Sequence, residues 1–512
     1  MFSKFLLATD FNTLFEWFEH NVTLYREKAV LHFGEVSLSF GQAHARVILL
    51  SEELERQGVR PGTAVAVCVE NGFAMPVMAL ACSKLGATVV PIATSLQSHQ
   101  ICVVVNTAKP VCAVVTSAGK EKFLKANSCA EHSVNSLVIL KSNLQVEVET
   151  IIACSNTKPD SRLGPKNCFV MNFTSGSTGA PKPVCVSEIA KINRLKSATI
   201  DFFDLSVDDA VMISTPQYHS LGFRQSLLPF VLGCSGFVLQ RFTAKAWVEA
   251  VEKNSVSFTI AVSSQIAEVL EKYSVNELLQ LTSLTKLVSS SAPFGEAVRE
   301  NCLNAFRCDV YEIYGSSESG TATIKKLEPN QIQTCSVGRP LSFVKIKLFD
   351  PMRRELVTNR ENVGEIGIDS PTNFEEYLGL PDETSKAHEN GYFLTGDLGY
   401  FDAHGELYFC GRAKDTIQNA GITVYPLDIE NAIKRFPGIT NACAVGIPDT
   451  RSNEQIVLAY TAAVEVNEND IYRFLMGELA EWQIPRRLKR VSKIPLSHVG
   501  KVDRQLVKQM FM

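Results

Sequence analysis

The stretch "FTSGSTGAPKPV", residues 173–184, packs Ser, Thr and Gly into one segment and then sets Lys182 between Pro181 and Pro183. Hydroxyls, glycines and one cation in so short a run suit a polyphosphate. The commonest phosphate loop reads GxxxxGK[ST] and grips its ligand with backbone amides and a helix N-terminus. Here the residue after the lysine is Pro183, and a residue that precedes proline is disfavoured in the α region. Lys182 is therefore not expected in a continuing helix, which argues against a helix-capped grip. What remains is a flexible loop carrying Thr174, Ser175, Gly176, Ser177, Thr178, Gly179 and Lys182. On its own the segment also reads as a plain surface loop.

The rest of the chain narrows the choice. Its 512 residues exceed one ordinary domain. With 46% hydrophobic and 20% charged residues, it has the composition of a soluble globular protein. A net charge of −4 argues against a nucleic-acid surface. The basic run "PRRLKR" (485–490) reads as a solvated linker or an exposed face. The 14 cysteines are scattered singly, with no CxxC pair or Cys/His cluster, so neither a zinc site nor a disulfide framework is indicated. Unpaired thiols in that number fit a reducing compartment. The N-terminus is a poor signal peptide, and no apolar run is long enough to span a bilayer. A cytoplasmic protein without membrane insertion is expected.

Apolar runs such as "AVAVCVE" (64–70) and "SFTIAV" (257–262) alternate with helical patterns at 72–87 and around 246–253. Strand–helix alternation predicts βαβ units and mostly parallel sheet. After about residue 335, short runs closed by Gly and Asp ("VKIKLFD", "GEIGIDS", "GELYFCGR") predict a smaller β-rich section. From Ile417 the chain reads as α+β, with helices at 427–436 and 467–480, two long strands and a polar tail. The fold class expected is thus α/β, with a large N-terminal domain over 1–414 and a small, mobile α+β C-terminal domain over 415–512.

Five motifs in order connect these pieces. "TSGSTGAPK" resembles the phosphate-loop signature of the adenylate-forming superfamily, which includes acyl-CoA synthetases, luciferases and the adenylation domains of peptide synthetases. "YGSSESGT" (314–321) is similar to that family's YGxTE, and "YFLTGDLGYFD" (392–402) to its YxTGD. "GRAKDTIQNAGITVYPLDIE" (411–430) is similar to its GRxKDxIKxxGxxVxPxEIE, and "PLSHVGKVDR" (495–504) to its final lysine motif. Together they run from 174 to 504.

The resemblance implies a chemistry in two steps. A carboxylate attacks the α-phosphorus of ATP, pyrophosphate leaves, and the acyl-adenylate passes to a thiol. Positioning and charge stabilisation are most of what such a reaction asks of the protein. By the resemblance, Glu318 partners Mg²⁺, a hard cation that takes oxygen ligands. Tyr314 stacks on adenine, with Gly315, Ser316 and Ser317 beside the nucleotide. Glu312 and the turn Ser291, Ala292, Pro293 line the adenine site. Asp397 accepts hydrogen bonds from the ribose hydroxyls, and Arg412 holds ribose or phosphate. Lys501 bridges the carboxylate and the α-phosphate as negative charge builds up. Asp415 matches the hinge between domains, and Gly421, in "NAG" (419–421), faces the thiol channel.

Four positions depart from the family pattern. Pro183 stands where Gly is usual and should stiffen the loop. Gln418 replaces a lysine. "SSSAP" replaces a Gly-containing turn, so that Ser289, Ser290 and Ser291 should narrow the acid pocket. "SNEQ" (452–455) lacks a glycine. Pro183 and Gln418 leave open a nucleotide-binding regulatory protein with little turnover. The stretch "STPQYHSLGF" (214–223) carries His219 and none of the carboxylate that would pair with an amino-acid ammonium. A non-amino carboxylic acid is therefore expected, short or aromatic by the serine-rich turn. His219 either positions that acid or is a hydrogen-bonded structural histidine. Coenzyme A is the expected thiol, with the phosphopantetheine of a separate acyl-carrier protein as the alternative.

Overall fold

The computed structural model describes residues 11–154, 167–174, 181–291, 294–329, 336–357, 362–449, 452–496 and 502–512. The chain forms two compact units. One comprises residues up to 334 with 338–345 and 368–393; the other comprises 335–337, 346–367 and 394–512.

The first unit holds two sheets. In one, six strands run parallel: Ala29–Phe33, Ser235–Val238, Ala210–Ile213, Phe258–Val262, Lys286–Ser290 and Asp309–Ser316. Gly320–Lys326 then turns back antiparallel on Asp309–Ser316. The other sheet has eight strands. Its parallel middle is Val170–Thr174, Thr88–Pro91, Ala64–Cys68, Cys112–Thr116 and Ser136–Leu140. Ala64–Cys68 and Cys112–Thr116 are buried at every position, as strands covered on both faces must be. The alternation predicted from sequence is present. The helices expected at 72–87 and near 246–253 form at Ala74–Leu85 and Ala244–Asn254. The first stops at Gly86, whose φ of 63° supplies the left-handed C-cap that a side chain resists.

Sequence reading made nothing of residues 11–60. They contribute helices Leu14–Tyr25 and Phe40–Arg56, both opened by capping boxes, at Thr13/Glu16 and Ser39/Gln42. A polar relay ties the first of these inward. The Phe15 amide donates to Ser83 Oγ at 2.9 Å, and Leu14 donates to Glu188 Oε1 at 2.8 Å. The Ser83 hydroxyl donates to that same carboxyl oxygen. Burial pushes the Glu188 carboxyl up from its ordinary 4.5 to about 7, against the pull of those two donors. The folded chain thus holds this proton more tightly than the unfolded one. Its stabilising contribution is complete below the unfolded value and fades as pH rises through the folded one. Glu188→Gln keeps the acceptor. It is expected to raise stability at pH 8 by about 1–2 kcal/mol and to flatten the decline on the approach to neutrality, read by thermal melts at several pH values.

Strands Lys345–Phe349, Gly364–Asp369, Tyr392–Phe401 and Leu407–Arg412, most of whose residues fall in the second unit, make up the β-rich section. A five-stranded sheet follows, built on the antiparallel pair Ile439–Asp449 and Asn453–Ala462. Alternation along these strands feeds two cores. Ala442, Ala444, Ile456 and Leu458 pack with Ile429, Ile433, Ile471 and Leu475 of helices Pro426–Lys434 and Glu468–Glu478. Cys443, Val445 and Val457 pack with Val507 and Phe511. The basic run is an exposed face, one of its two readings, but no linker: Arg487–Arg490 is a strand parallel to Asn453–Ala462, with Arg487, Lys489 and Arg490 exposed. Its cations are tied down, Arg487 to the Phe511 carbonyl at 2.8 Å and Lys489 to that of Met510 at 2.8 Å. The tail is not merely polar either, because helix Arg504–Gln509 buries Val507. Where the family glycine is missing from "SNEQ", Asn453 takes φ 68°, one of the few side chains at ease in that region.

Candidate functional site

The residues assigned by the resemblance fall in two groups, one in each unit, and each group stands by itself. In the first, Thr174 ends one strand and Lys182 begins the next, and the two are antiparallel partners. Lys182 starts strand Lys182–Val186, and the following helix opens only at Glu188, so no helix N-terminus follows the lysine directly. Pro183, the residue after the loop lysine, lies inside this strand, opposite Phe173. Ser175, Gly176, Ser177, Thr178 and Gly179 lie outside the described residues.

Lys182 Nζ sits 2.8 Å from Glu383 Oε2 and 5.0 Å from the centre of the Tyr377 ring. Hydrogen bonding to Lys182 holds the Glu383 carboxyl below its usual range. The Tyr377 hydroxyl in turn donates to Glu318 Oε1 at 3.2 Å. Burial, and next the Glu318 charge, push the Tyr377 phenol up, so it stays protonated as the donor. One tyrosine therefore brings together the loop cation and the carboxylate assigned to metal. Sequence reading named neither Tyr377 nor Glu383.

The loop that carries Glu318 is built tightly. Ser316 and Ser319 exchange hydrogen bonds through their hydroxyls and amides, and the Glu318 amide donates to Ser316 Oγ at 3.2 Å. Arg194, which is 2% exposed, clamps it from below. Its Nη1 donates to the Ser317 carbonyl at 3.0 Å, its Nη2 to that of Glu318 at 2.8 Å, and its Nε to that of Thr372 at 2.9 Å. The helix bearing Arg194 runs on into a π turn, Lys196–Asp201, and the Thr199 hydroxyl takes up the Arg194 carbonyl. Tyr314 and Gly315 pair with Thr323 and Thr321. A Cβ on Gly315 would meet the Gly320 carbonyl oxygen at 1.8 Å. Gly315→Ala is expected to cost about 3 kcal/mol or more and to abolish activity, checked by urea melts beside turnover.

Glu312 is 3% exposed. Its carboxylate takes the Arg299 guanidinium and, at 3.2 Å, the Phe294 amide. Burial pushes its carboxyl up against the pull of Arg299. It thus braces the segment just after the turn at 291–293, of which Ala292 and Pro293 lie outside the described residues. Ser289 is buried in its strand with a hydroxyl that finds no partner among the described residues. Ser291 has φ 77°, and its hydroxyl reaches Ser290 Oγ at 3.5 Å. His219 is the N-cap of helix Ser220–Leu232, with its ring 4.6 Å from that of Tyr218.

In the second unit, Asp397 and Arg412 are cross-strand partners, and Arg412 Nε lies 3.1 Å from Asp397 Oδ1. Asp415 closes a 3₁₀ turn, Ala413–Asp415. Arg504 Nε stands 3.5 Å from its Oδ2 and also holds Glu430, 2.6 Å away. Those two carboxylates push the guanidinium's proton affinity up, outweighing its burial. Ala420 and Gly421, at φ 52° and 83°, form the two-residue turn between strands Ile417–Asn419 and Ile422–Val424. Gln418 lies in that hairpin, its side chain on Thr423 Oγ1 at 3.2 Å. Lys501 lies outside the described residues.

Comparison with known proteins agrees with this layout. A family profile described as "AMP-binding enzyme" matches residues 18–378, and one described as "AMP-binding enzyme C-terminal domain" matches 428–501. A fatty acid–[acyl-carrier-protein] ligase, ScoC, from Streptomyces coeruleorubidus is 27% identical, over 94% of this chain and 93% of its own. A 2-succinylbenzoate–CoA ligase from Bacillus cereus is 25% identical, over 97% and 98%. Among solved structures, ATP-bound MatB from Rhodopseudomonas palustris superposes with a TM-score of 0.86 at 21% identity, covering 98% of each chain. Motif order, fold and profile coverage coincide, and the chain belongs to the AMP-binding enzymes.

Proposed function

We propose that this chain is an AMP-forming acid–thiol ligase acting on a non-amino carboxylic acid, short or aromatic. The observation that carries the reading is the convergence of Lys182 and Glu318 on Tyr377. A cation for phosphate oxygens and a carboxylate for a hard metal are thereby held on one side chain. In the first step a carboxylate oxygen of the acid bonds to the α-phosphorus of ATP, and the bond to pyrophosphate breaks. Thr174 and Lys182 hold the leaving phosphates, Tyr314 the adenine, and Asp397 and Arg412 the ribose. Lys501 stabilises the charge on the α-phosphate. In the second step the thiol sulfur attacks the acyl carbon, its proton is lost to solvent, and AMP leaves.

Glu318 fits Mg²⁺. It is half-buried, its Oε1 takes one hydroxyl, and among the described residues no donor is on its Oε2, so this carboxylate would hold a hard cation. Bound there, the ion would neutralise phosphate charge.

The thiol is coenzyme A or the phosphopantetheine of an acyl-carrier protein. The named relatives include one ligase of each kind. A regulatory protein without turnover was suggested by Pro183 and Gln418. Pro183 keeps its strand register, and Gln418 is integrated in a hairpin, so neither disturbs the residues assigned to adenylation. No described helix is long and apolar enough to cross a membrane, and every described cysteine is free. The cytoplasm is the compartment we assign.

The test is product analysis with a panel of acids. AMP and thioester in equal amounts with coenzyme A, or with a loaded carrier protein, support the reading. ADP as the nucleotide product refutes it.

A further inference from the structure

Beneath the 314–321 loop, three cations are buried together. Lys191 is 0% exposed, Arg194 2% and Arg224 6%. Lys191 and Arg194 are three residues apart on helix Glu188–Leu195, and so share a face. Arg224 comes from the neighbouring helix, one residue after Phe223, whose amide donates to the His219 carbonyl at 2.8 Å. Lys191 Nζ lies 5.3 Å from the centre of the Phe223 ring. Arg194 uses its donors on loop carbonyls. Arg224 Nη1 has Thr321 Oγ1, at 3.1 Å, and Thr321 is the strand partner of Gly315. Lys191 Nζ has no hydrogen-bond partner among the described residues.

Among the described residues, no carboxylate stands within ion-pair distance of any of the three. Glu318 acts on Arg194 only through space, and its Oε1 takes the Tyr377 hydroxyl. Like charges buried without a counter-ion are costly, and the proton affinities respond. Burial, with the two arginines, drives the Lys191 amine well below its usual range. Burial likewise brings Arg224 down to about 10. Among the described residues, such a cluster lacks an anion. It sits between the loop assigned to the adenylate and the first turn of the helix capped by His219, the residue assigned to the acid.

We infer that the acid activated here carries a second carboxylate, and that Lys191 and Arg224 seat it while Arg194 braces the loop above. This rests on the adenylation reading and narrows its substrate to dicarboxylic acids. An arriving carboxylate supplies the missing counter-charge, and Lys191 takes up a proton from solvent as it binds. A monocarboxylic acid of the same size leaves the cluster unpaired and is discriminated against, because buried charges without partners are penalised.

Matched pairs of acids test this on the full chain: butyrate with succinate, and benzoate with isophthalate, in acid-dependent pyrophosphate exchange. The dicarboxylic member of at least one pair is expected to show a kcat/KM about tenfold or more above its partner. Lys191→Met and Arg224→Met, which replace buried charge by apolar volume, should erase that ratio by raising KM for the dicarboxylic acid. Turnover of the monocarboxylic acid should fall by less than that of the dicarboxylic acid in both variants. Equal or better use of the monocarboxylic members by the unmutated enzyme overturns the inference, whether or not the variants fold. So does an equal loss for both acids in folded variants. Absence of exchange with every acid overturns the adenylation reading itself and this inference with it.

Discussion

Lys501→Ala is expected to slow adenylate formation by about 10²–10³-fold, the loss typical of removing one donor aimed at developing charge. The same variant should convert supplied acyl-adenylate to thioester at nearly the rate of the unmutated enzyme. The reason is chemical. In the first step, negative charge gathers on the α-phosphate as the acid's oxygen attacks, and a mobile ammonium can follow it. In the second, the charge leaves with AMP, and the attacking group is a thiol. Lys501 lies outside the described residues, but the chain after it is firmly held. Asp503 caps helix Arg504–Gln509 through the Gln505 and Leu506 amides, and Arg504 is bound to Glu430 and Asp415. Separate assays of the two half-reactions decide the matter. Equal loss in both would remove Lys501 from the role assigned to it.

The second large effect is expected at Glu318. Glu318→Gln preserves shape and keeps an oxygen for the Tyr377 hydroxyl, so the melting midpoint should hardly move. It removes the charge that a hard cation needs. Adenylation should fall by about 10²-fold or more, and the Mg²⁺ concentration for half-maximal rate should rise. A variant with ordinary Mg²⁺ dependence would show that Glu318 is a structural part of its loop and no more.

Much of this architecture is legible in the sequence, for local reasons. Alternating apolar runs and helical patterns announce parallel sheet. Pro181 and Pro183 keep Lys182 out of a helix. Both are statements about neighbours in the chain. What escaped reading depends on distant partners. Glu383 meets Lys182 across 201 positions, and Tyr377 lies on a two-residue strand with no periodicity of its own. Lys191 and Arg194 did leave a signal, two cations three apart in "EIAKINRLK", but such a pair ordinarily marks a solvated face. Here that face is turned inward, and only the tertiary fold says so. The run "PRRLKR" is legible in part: its cations do face solvent, but its place as a strand of the C-terminal sheet, held by Leu488 and the strand pairing, depends on distant partners. Pro183 fits a strand register, and Asn453 supplies the backbone angle that a glycine would have.

The central claim is that ATP is cleaved between the α- and β-phosphates by attack of a carboxylate. Exchange of labelled pyrophosphate into ATP, in the absence of any thiol, reads that step alone. We predict exchange that requires both an acid and Mg²⁺ and that is lost in Lys501→Ala. No exchange across mono- and dicarboxylic acids, by a folded enzyme that binds ATP, would contradict the account.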